Sequence, residues 1–182
     1  MKKPKIIEQS VSLKKTYRSV RMYDVEQVLD EKLSYDPVRS PDTIATIANK
    51  LIGDKDREHF LVLALNTKHE VIGTHIAHVG QLNSSLMNPR EIFKILIICN
   101  AGAYALAHNH PSGKTEPSRE DVEVTARMID IGYLMGITLL DHVIVNGSVF
   151  GEYSIRQNAV EHGLDFNPPR SLFGDPQISR TL

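Results

Sequence analysis

The sequence predicts an α/β sandwich in which a mixed β-sheet is covered by helices. Short apolar runs of strand length alternate with longer segments whose apolar residues recur at helical spacing. The order of these signals along the chain is typical of helices packed on one sheet rather than of an all-helical or all-strand domain. With 182 residues, 41% of them hydrophobic and 24% charged, the chain also has the length and composition of an ordinary globular protein with a real core.

The first half of the chain predicts one helix and a hairpin. A helix begins at Ser40 and Pro41, a typical pair for the cap and first turn, and ends at Gly53. The apolar run over residues 60–65 predicts a strand. After a polar turn, residues 71–79 predict its partner in a β-hairpin.

The second half predicts two helices and three strands. A helix is expected from Pro89 to about residue 101, and a buried strand over residues 103–107, after which His108 begins a loop. A third helix is expected over residues 118–134. Its predicted inner side consists of Val122, Thr125, Ala126, Ile129 and Tyr133. Strands over residues 139–145 and 148–153 flank a tight turn, and the proline-containing C-terminus is expected to be a tail.

Charge and cysteine content exclude several classes of protein. A formal net charge of −1 gives no general attraction to nucleic acid or to anionic membranes. Cys99 is the single cysteine, which excludes an internal disulfide and a multi-cysteine zinc site. No signal-peptide pattern and no apolar stretch of about 18 residues occurs, so we expect a cytoplasmic protein without membrane association.

The segment around His108 and His110 predicts a metal site. Two histidines at positions i and i+2 converge on one ion if their backbone is extended or lies in a loop, and the end of a buried strand supplies this. Asp121 adds a carboxylate. Two imidazoles and one carboxylate with water in the fourth position form a catalytic rather than a structural zinc site, because zinc lowers the pKa of its water to about 7.

Alternative interpretations exist for these residues. Ser118 and Asp121 have the spacing of a capping box, which is compatible with metal binding if the carboxylate turns outward. A carboxylate is also needed to move protons, and either Glu58 or Glu91 is a candidate. Asp141 and His142 lie in an apolar strand. They are interpreted as a satisfied core pair, or as a hydrogen-bond partner of a ligand histidine, rather than as a second metal site.

The residues resemble a known family. His-x-His, ten further residues and Asp, with Ser three residues before the Asp, is similar to the signature of JAMM (MPN-plus) metalloproteases. The complete segment over residues 108–121, His-Asn-His-Pro-Ser-Gly-Lys-Thr-Glu-Pro-Ser-Arg-Glu-Asp, resembles the RadC-type JAB branch. Further matches lie around Arg57 and Glu58, around Arg90, and around His142. The resemblance covers roughly residues 40–157, which leaves an N-terminal extension over residues 1–39 and a tail over residues 158–182.

The resemblance implies a cytidine-deaminase-like sandwich and assigns roles to residues. His108, His110 and Asp121 match the Zn²⁺ ligands. Glu58 matches the general base that acts on zinc-activated water, and Ser118 matches the residue that hydrogen-bonds the oxyanion. The implied activity is hydrolysis of peptide or isopeptide bonds in an unidentified protein substrate. Deaminase activity is excluded, because the required His-x-Glu and Pro-Cys-x-x-Cys motifs are absent from the sequence.

A second hypothesis is a RadC-type accessory protein of DNA repair or of a mobile element, in which the metal is structural or vestigial. The basic segment from Lys14 to Arg21 supports DNA contact, although a solvated basic segment is the simpler interpretation. Two departures from the family are visible. Residues 1–39 lack the helix-hairpin-helix region of longer RadC proteins, and Asn88 stands where relatives often have His.

Overall fold

The computed structural model describes residues 36–80, 88–147 and 151–167. These residues form three helices and five strands. In chain order they are α1 (Pro41–Ile52), β1 (His59–Leu65), β2 (Val71–Val79), α2 (Pro89–Ile98), β3 (Ala103–Asn109), α3 (Arg119–Met135), β4 (Thr138–Val145) and β5 (Glu152–Ser154).

The strands form one mixed sheet in the order β2-β1-β3-β4-β5. β3 and β4 are parallel, and the other neighbouring strands are antiparallel. A parallel pair needs a crossover connection, and α3 provides it between β3 and β4. β3 therefore lies at the centre of the sheet, with both neighbours hydrogen-bonded to it.

Helices cover both faces of the sheet, so the predicted α/β sandwich is confirmed. The apolar side of α1 packs on one face, against alternate residues of β1, β3 and β4 that include Leu63, Ala105 and Val143. Residues of α2 and α3 pack on the opposite face with Phe60 and Leu106. None of the three described helices combines the length and the apolar composition that a membrane span requires.

Two details of the prediction were wrong in the site region, and α2 ends at Ile98, earlier than the predicted end near residue 101. β3 does not end at Ala107, because His108 and Asn109 pair with β4, and His108 also pairs with Phe60 of β1. His108 is thus the penultimate residue of a buried strand and does not begin a loop.

The buried side of α3 also differs from the prediction. Thr125 and Ile129 are buried as expected, whereas Val122, Ala126 and Tyr133 are only partly buried. The buried positions are Asp121, Val124, Thr125, Met128, Ile129 and Gly132. This buried stripe begins with a polar Asp. A prediction based on apolar residues alone therefore placed the buried side at a different position around the helix.

Some of the predictions concern residues outside the described part of the chain. The basic segment Lys14 to Arg21 and residues 148–150 of the last predicted hairpin belong to that undescribed part. In contrast, Phe166 of the predicted tail is described. Its side chain is buried against the core on the α3 side of the sheet.

Candidate metal centre

The structure brings His108, His110 and Asp121 together at one end of the sheet. His108 lies at the end of β3 and His110 directly after it, with their Nε2 atoms 2.9 Å apart, and Asp121 lies in the first turn of α3. One nitrogen or oxygen atom from each side chain lies within 4.8 Å of the other two. The predicted ligand set is therefore assembled in space, although its residues come from a strand, a turn and a helix.

The separations of the ligand atoms suit a small cation. His108 Nε2 lies 2.9 Å from His110 Nε2 and 3.2 Å from Asp121 Oδ1, and His110 Nε2 lies 3.6 Å from Asp121 Oδ2. In a tetrahedral zinc site with bonds of about 2.0–2.1 Å, ligand atoms are separated by about 3.3 Å. The observed distances lie on both sides of this value, so the cluster needs little rearrangement to hold a metal ion.

Asp121 divides its two carboxylate oxygens between the helix cap and the cluster. Oδ2 accepts hydrogen bonds from the Ser118 backbone N–H at 2.7 Å and from the Ser118 hydroxyl at 2.6 Å. The Ser118 hydroxyl in turn accepts a hydrogen bond from the Asp121 backbone N–H, which completes a capping box. Oδ1 is buried, lies within ion-pair distance of His108, and accepts no hydrogen bond. Capping and metal binding are therefore compatible.

His110 is oriented by a hydrogen bond of fixed direction. Its Nδ1 lies 2.7 Å from the carbonyl oxygen of Lys114. A carbonyl only accepts, so Nδ1 carries the hydrogen and the lone pair of the neutral ring is on Nε2, which faces the cluster. The intervening turn depends on Gly113, whose φ of 81° lies in the left-handed region that favours glycine.

The electrostatics of the cluster are those of a site that attracts positive charge. The neighbouring Asp121 carboxylate is the largest influence on His110 and raises its pKa, and Glu58 adds to the effect. Burial alone would raise the pKa of Asp121, but the contacts with His108 and His110 outweigh it and hold that pKa well below its usual range. A buried carboxylate that stays ionised requires positive charge beside it, either a metal ion or a protonated imidazole.

Of the three predicted ligands, only His110 reaches solvent. His108 and Asp121 are 0% and 1% exposed, whereas the side chain of His110 is 13% exposed. Phe60 packs along the closed side, with its ring stacked on that of His108 at a centroid distance of 6.0 Å. An ion held here would be covered on the core side and open on the His110 side, which is the arrangement that admits water or a substrate.

Glu58 lies at the same end of the sheet as the cluster. Glu58 immediately precedes β1, and two residues later Phe60 pairs with His108, which stands two residues before His110. Its charge is one of those that raise the pKa of His110. Glu91, the other candidate carboxylate, is exposed in the first turn of α2.

Asn109 holds the segment that carries Glu58, a role that the sequence did not reveal. Its side-chain oxygen accepts a hydrogen bond from the His59 backbone N–H at 2.7 Å. Its amide group donates to the carbonyl oxygens of Arg57 and Lys55 at 2.9 and 3.3 Å. Asn109 lies between the two histidines, so the end of β3 and the residue after it supply two predicted ligands together with the side chain that holds the segment of Glu58.

The remaining predicted residues have identifiable positions. The Arg57 side chain is 72% exposed and Arg90 is exposed, as expected for surface charges. His142 Nε2 lies 2.8 Å from His108 Nδ1, so of the two interpretations of His142 the structure shows the hydrogen bond to a predicted ligand. Asp141 instead accepts hydrogen bonds from the Ser154 hydroxyl and from the backbone of His142 and Arg156.

Fold and site together define an α/β sandwich with a candidate His-His-Asp metal centre at the end of its central strand. Comparison with known families matches residues 38–160 to the RadC-like JAB domain. The chain belongs to this family.

Curated relatives carry family names only. Over 127 residues the chain is 48% identical to a UPF0758 protein of Rubrobacter xylanophilus, a match that covers 70% of this chain and 53% of the relative. It is 44% identical over 113 residues to a UPF0758 protein of Desulforamulus reducens, covering 62% and 50%. Identity to the UPF0758 protein YsxA of Bacillus subtilis is 43% over 113 residues, covering 62% and 49%. The chain thus spans about half the length of the curated relatives it matches.

Proposed function

We propose that the protein is a zinc-dependent hydrolase of peptide or isopeptide bonds, with His108, His110 and Asp121 as the metal ligands. The observation that carries this proposal is the convergence of the three side chains: Asp121 Oδ1, a buried oxygen that accepts no hydrogen bond, lies 3.2 Å from His108 Nε2, which lies 2.9 Å from His110 Nε2. Such convergence of acceptors is costly unless a cation is shared among them. Zinc fits two imidazoles and one carboxylate, whereas magnesium and calcium prefer sites built mainly from oxygen.

The catalytic roles follow from position. A zinc ion held by these three residues would supply Lewis acidity and an activated water for attack on a carbonyl group. Glu58 precedes β1 at this end of the sheet and its charge acts on His110, so it would accept a proton from the attacking water and deliver it to the leaving amine. The covered faces of His108 and Asp121 exclude water from behind the ligands, so the reaction is confined to one side.

We also propose that Ser118 stabilises the oxyanion. Its hydroxyl donates to Asp121 Oδ2 at 2.6 Å, at the border of the cluster. This hydrogen must turn from the carboxylate to the substrate oxygen as negative charge develops there. The capping box keeps the hydroxyl in place meanwhile, because it also accepts from the Asp121 backbone N–H at 3.2 Å.

The proposal predicts one bound zinc per chain and cleavage by water. Purified chain is dialysed against zinc, its metal content is measured, and it is incubated in ¹⁸O-water with two peptide libraries, one linear and one linked through lysine side chains. We expect equimolar zinc and products with one ¹⁸O in each new carboxylate, lost after chelation and restored by zinc. A chain that binds no zinc, or a zinc-loaded chain that cleaves neither library, contradicts the proposal. Bound zinc without cleavage favours a structural metal.

Asn109→Ala is expected to lower hydrolysis about 100-fold while leaving one zinc per chain. Its three hydrogen bonds hold the 55–59 segment, and misplacing a catalytic group by about 1 Å can cost about that much. Asn66→Ala is the matched control, since Asn66 organises the turn at the other end of β1 through bonds to Lys68 and Glu70. Equal rates for the two variants would show that Asn109 does not position Glu58.

A further inference from the structure

We infer that Thr125 and His142 form a directional hydrogen-bond relay that fixes the tautomer of His108 and so prepares it to bind metal. This inference rests on the proposed function only in taking His108 as a ligand. Both residues are fully buried on the α3 side of the sheet, behind the candidate metal centre. They are positioning residues, because their contacts lead to His108 and not to the open side of the cluster.

The direction of the relay is set at its far end. The Thr125 hydroxyl donates its single hydrogen to the Asp121 backbone carbonyl at 2.6 Å, one helical turn earlier in α3. The same hydroxyl oxygen lies 2.6 Å from His142 Nδ1. Its hydrogen is already used, so the oxygen accepts here, and His142 Nδ1 carries a hydrogen.

The next link follows from the neutrality of His142. Its ring is fully buried, and its two nitrogens are taken by Thr125 and His108, neither of which offers a carboxylate. A charged ring in that environment is costly, so Nε2 keeps its lone pair and accepts. His108 Nδ1, 2.8 Å away, must then carry the hydrogen.

The direction of the relay determines which nitrogen of His108 can bind a metal at the cluster. A neutral His108 with hydrogen on Nδ1 presents the lone pair of Nε2 to His110 Nε2 and Asp121 Oδ1, 2.9 and 3.2 Å away. A reversed relay would put a hydrogen on Nε2 and block the ligand atom. Phe60 holds both rings, stacking on His108 and meeting His142 edge to face at 5.2 Å, so the nitrogens remain aligned.

Thr125→Val tests the relay with little change in volume. The hydroxyl is lost, His142 Nδ1 has no acceptor, and its hydrogen is free to move to Nε2 and reverse the relay. Loss of a partner behind a metal-binding histidine typically costs about 10–100-fold in affinity. We expect a loss in that range for Zn²⁺, measured by competition with a chromophoric chelator, and recovery in Thr125→Ser, which keeps the hydroxyl.

Nitrogen-15 NMR of the metal-free chain provides a readout that general loosening of the core does not mimic. Long-range proton–nitrogen spectra above the pH range in which histidine protonates should show Nδ1–H and unprotonated Nε2 for both His108 and His142. In Thr125→Val the His142 pattern should reverse. Tyr104→Phe is the matched control, because it removes another buried hydroxyl that donates to α3, from Tyr104 to the Met128 carbonyl at 2.7 Å. It should leave both the tautomers and the zinc affinity unchanged.

The outcomes separate this inference from the proposed function. Wild-type protein that binds zinc, with Thr125→Val binding equally well, overturns the relay and leaves the hydrolase proposal standing. Wild-type protein that binds no zinc contradicts the hydrolase proposal, and the nitrogen-15 spectra still decide the relay. Hydrogen on Nε2 of His108 in the wild-type chain overturns the relay whatever the zinc result.

Discussion

Glu58→Gln is expected to lower the rate of hydrolysis by about 10²–10⁴-fold while the chain still binds one zinc ion. The amide has nearly the same size as the carboxylate, so the backbone of the 55–59 segment and its bonds to Asn109 should persist. What is lost is the ability to accept and return a proton, and general acid–base catalysis typically contributes an acceleration of this size. The measurement is turnover of the best substrate from the peptide libraries, with zinc content determined on the same samples.

Glu91→Gln is the matched control for Glu58→Gln. Both glutamates were candidates on sequence alone, but Glu91 is exposed at the start of α2, whereas the charge of Glu58 acts on His110. The control should keep the wild-type rate. A reversed result, with Glu91 essential and Glu58 dispensable, would remove Glu58 from the mechanism. Unchanged rates in both variants would place the proton transfer on a group other than these two.

The sheet and its helices were predictable because their signals are local. Proline at the first turn of α1 and α2 and a continuous apolar run in β1 each specify an element within a few residues. The end of β3 was not predictable in this way. Histidine and asparagine are typical loop residues, and their place in the strand depends on pairing with Phe60, which is distant in sequence.

The candidate ligands were predictable from spacing, but their supporting contacts were only partly so. His142 was recognised as a possible partner of a ligand histidine, because a histidine in an apolar strand needs a polar neighbour. Thr125 was predicted only to face inward, and its hydroxyl connects residues of α3 and β4 that no local pattern relates. Asn109 was read simply as the residue between two histidines. Its three hydrogen bonds reach backbone groups about 50 residues earlier in the chain.

Asp121→Asn is expected to abolish zinc binding without unfolding the protein. The physical reason is that the two oxygens of Asp121 have different roles, Oδ2 in the helix cap and Oδ1 in the cluster. The new amide oxygen can accept both hydrogen bonds from Ser118, as Oδ2 does now. The amide nitrogen then replaces Oδ1 and donates toward His108 Nε2, so the buried atom at that position gains a hydrogen-bond partner.

Thermal unfolding with and without zinc measures this effect. At free zinc about 1,000-fold above its Kd, binding should stabilise the native chain by about 4 kcal/mol. For a domain of this size that corresponds to a rise in Tm of about 8–16 °C. Asp121→Asn should show no rise, and its metal-free form should still unfold cooperatively, because the amide oxygen keeps both hydrogen bonds from Ser118.

Asp141→Asn separates this result from a general effect of removing a buried carboxylate. Asp141 is 4% exposed and accepts hydrogen bonds from Ser154 and Arg156, away from the three candidate ligands. That variant should be less stable without metal but should keep the full rise in Tm on adding zinc. If Asp121→Asn also kept the full rise, the carboxylate would not be a ligand. The absence of a hydrogen bond to Oδ1 would then result from the geometry of the helix cap and would not indicate a cation site.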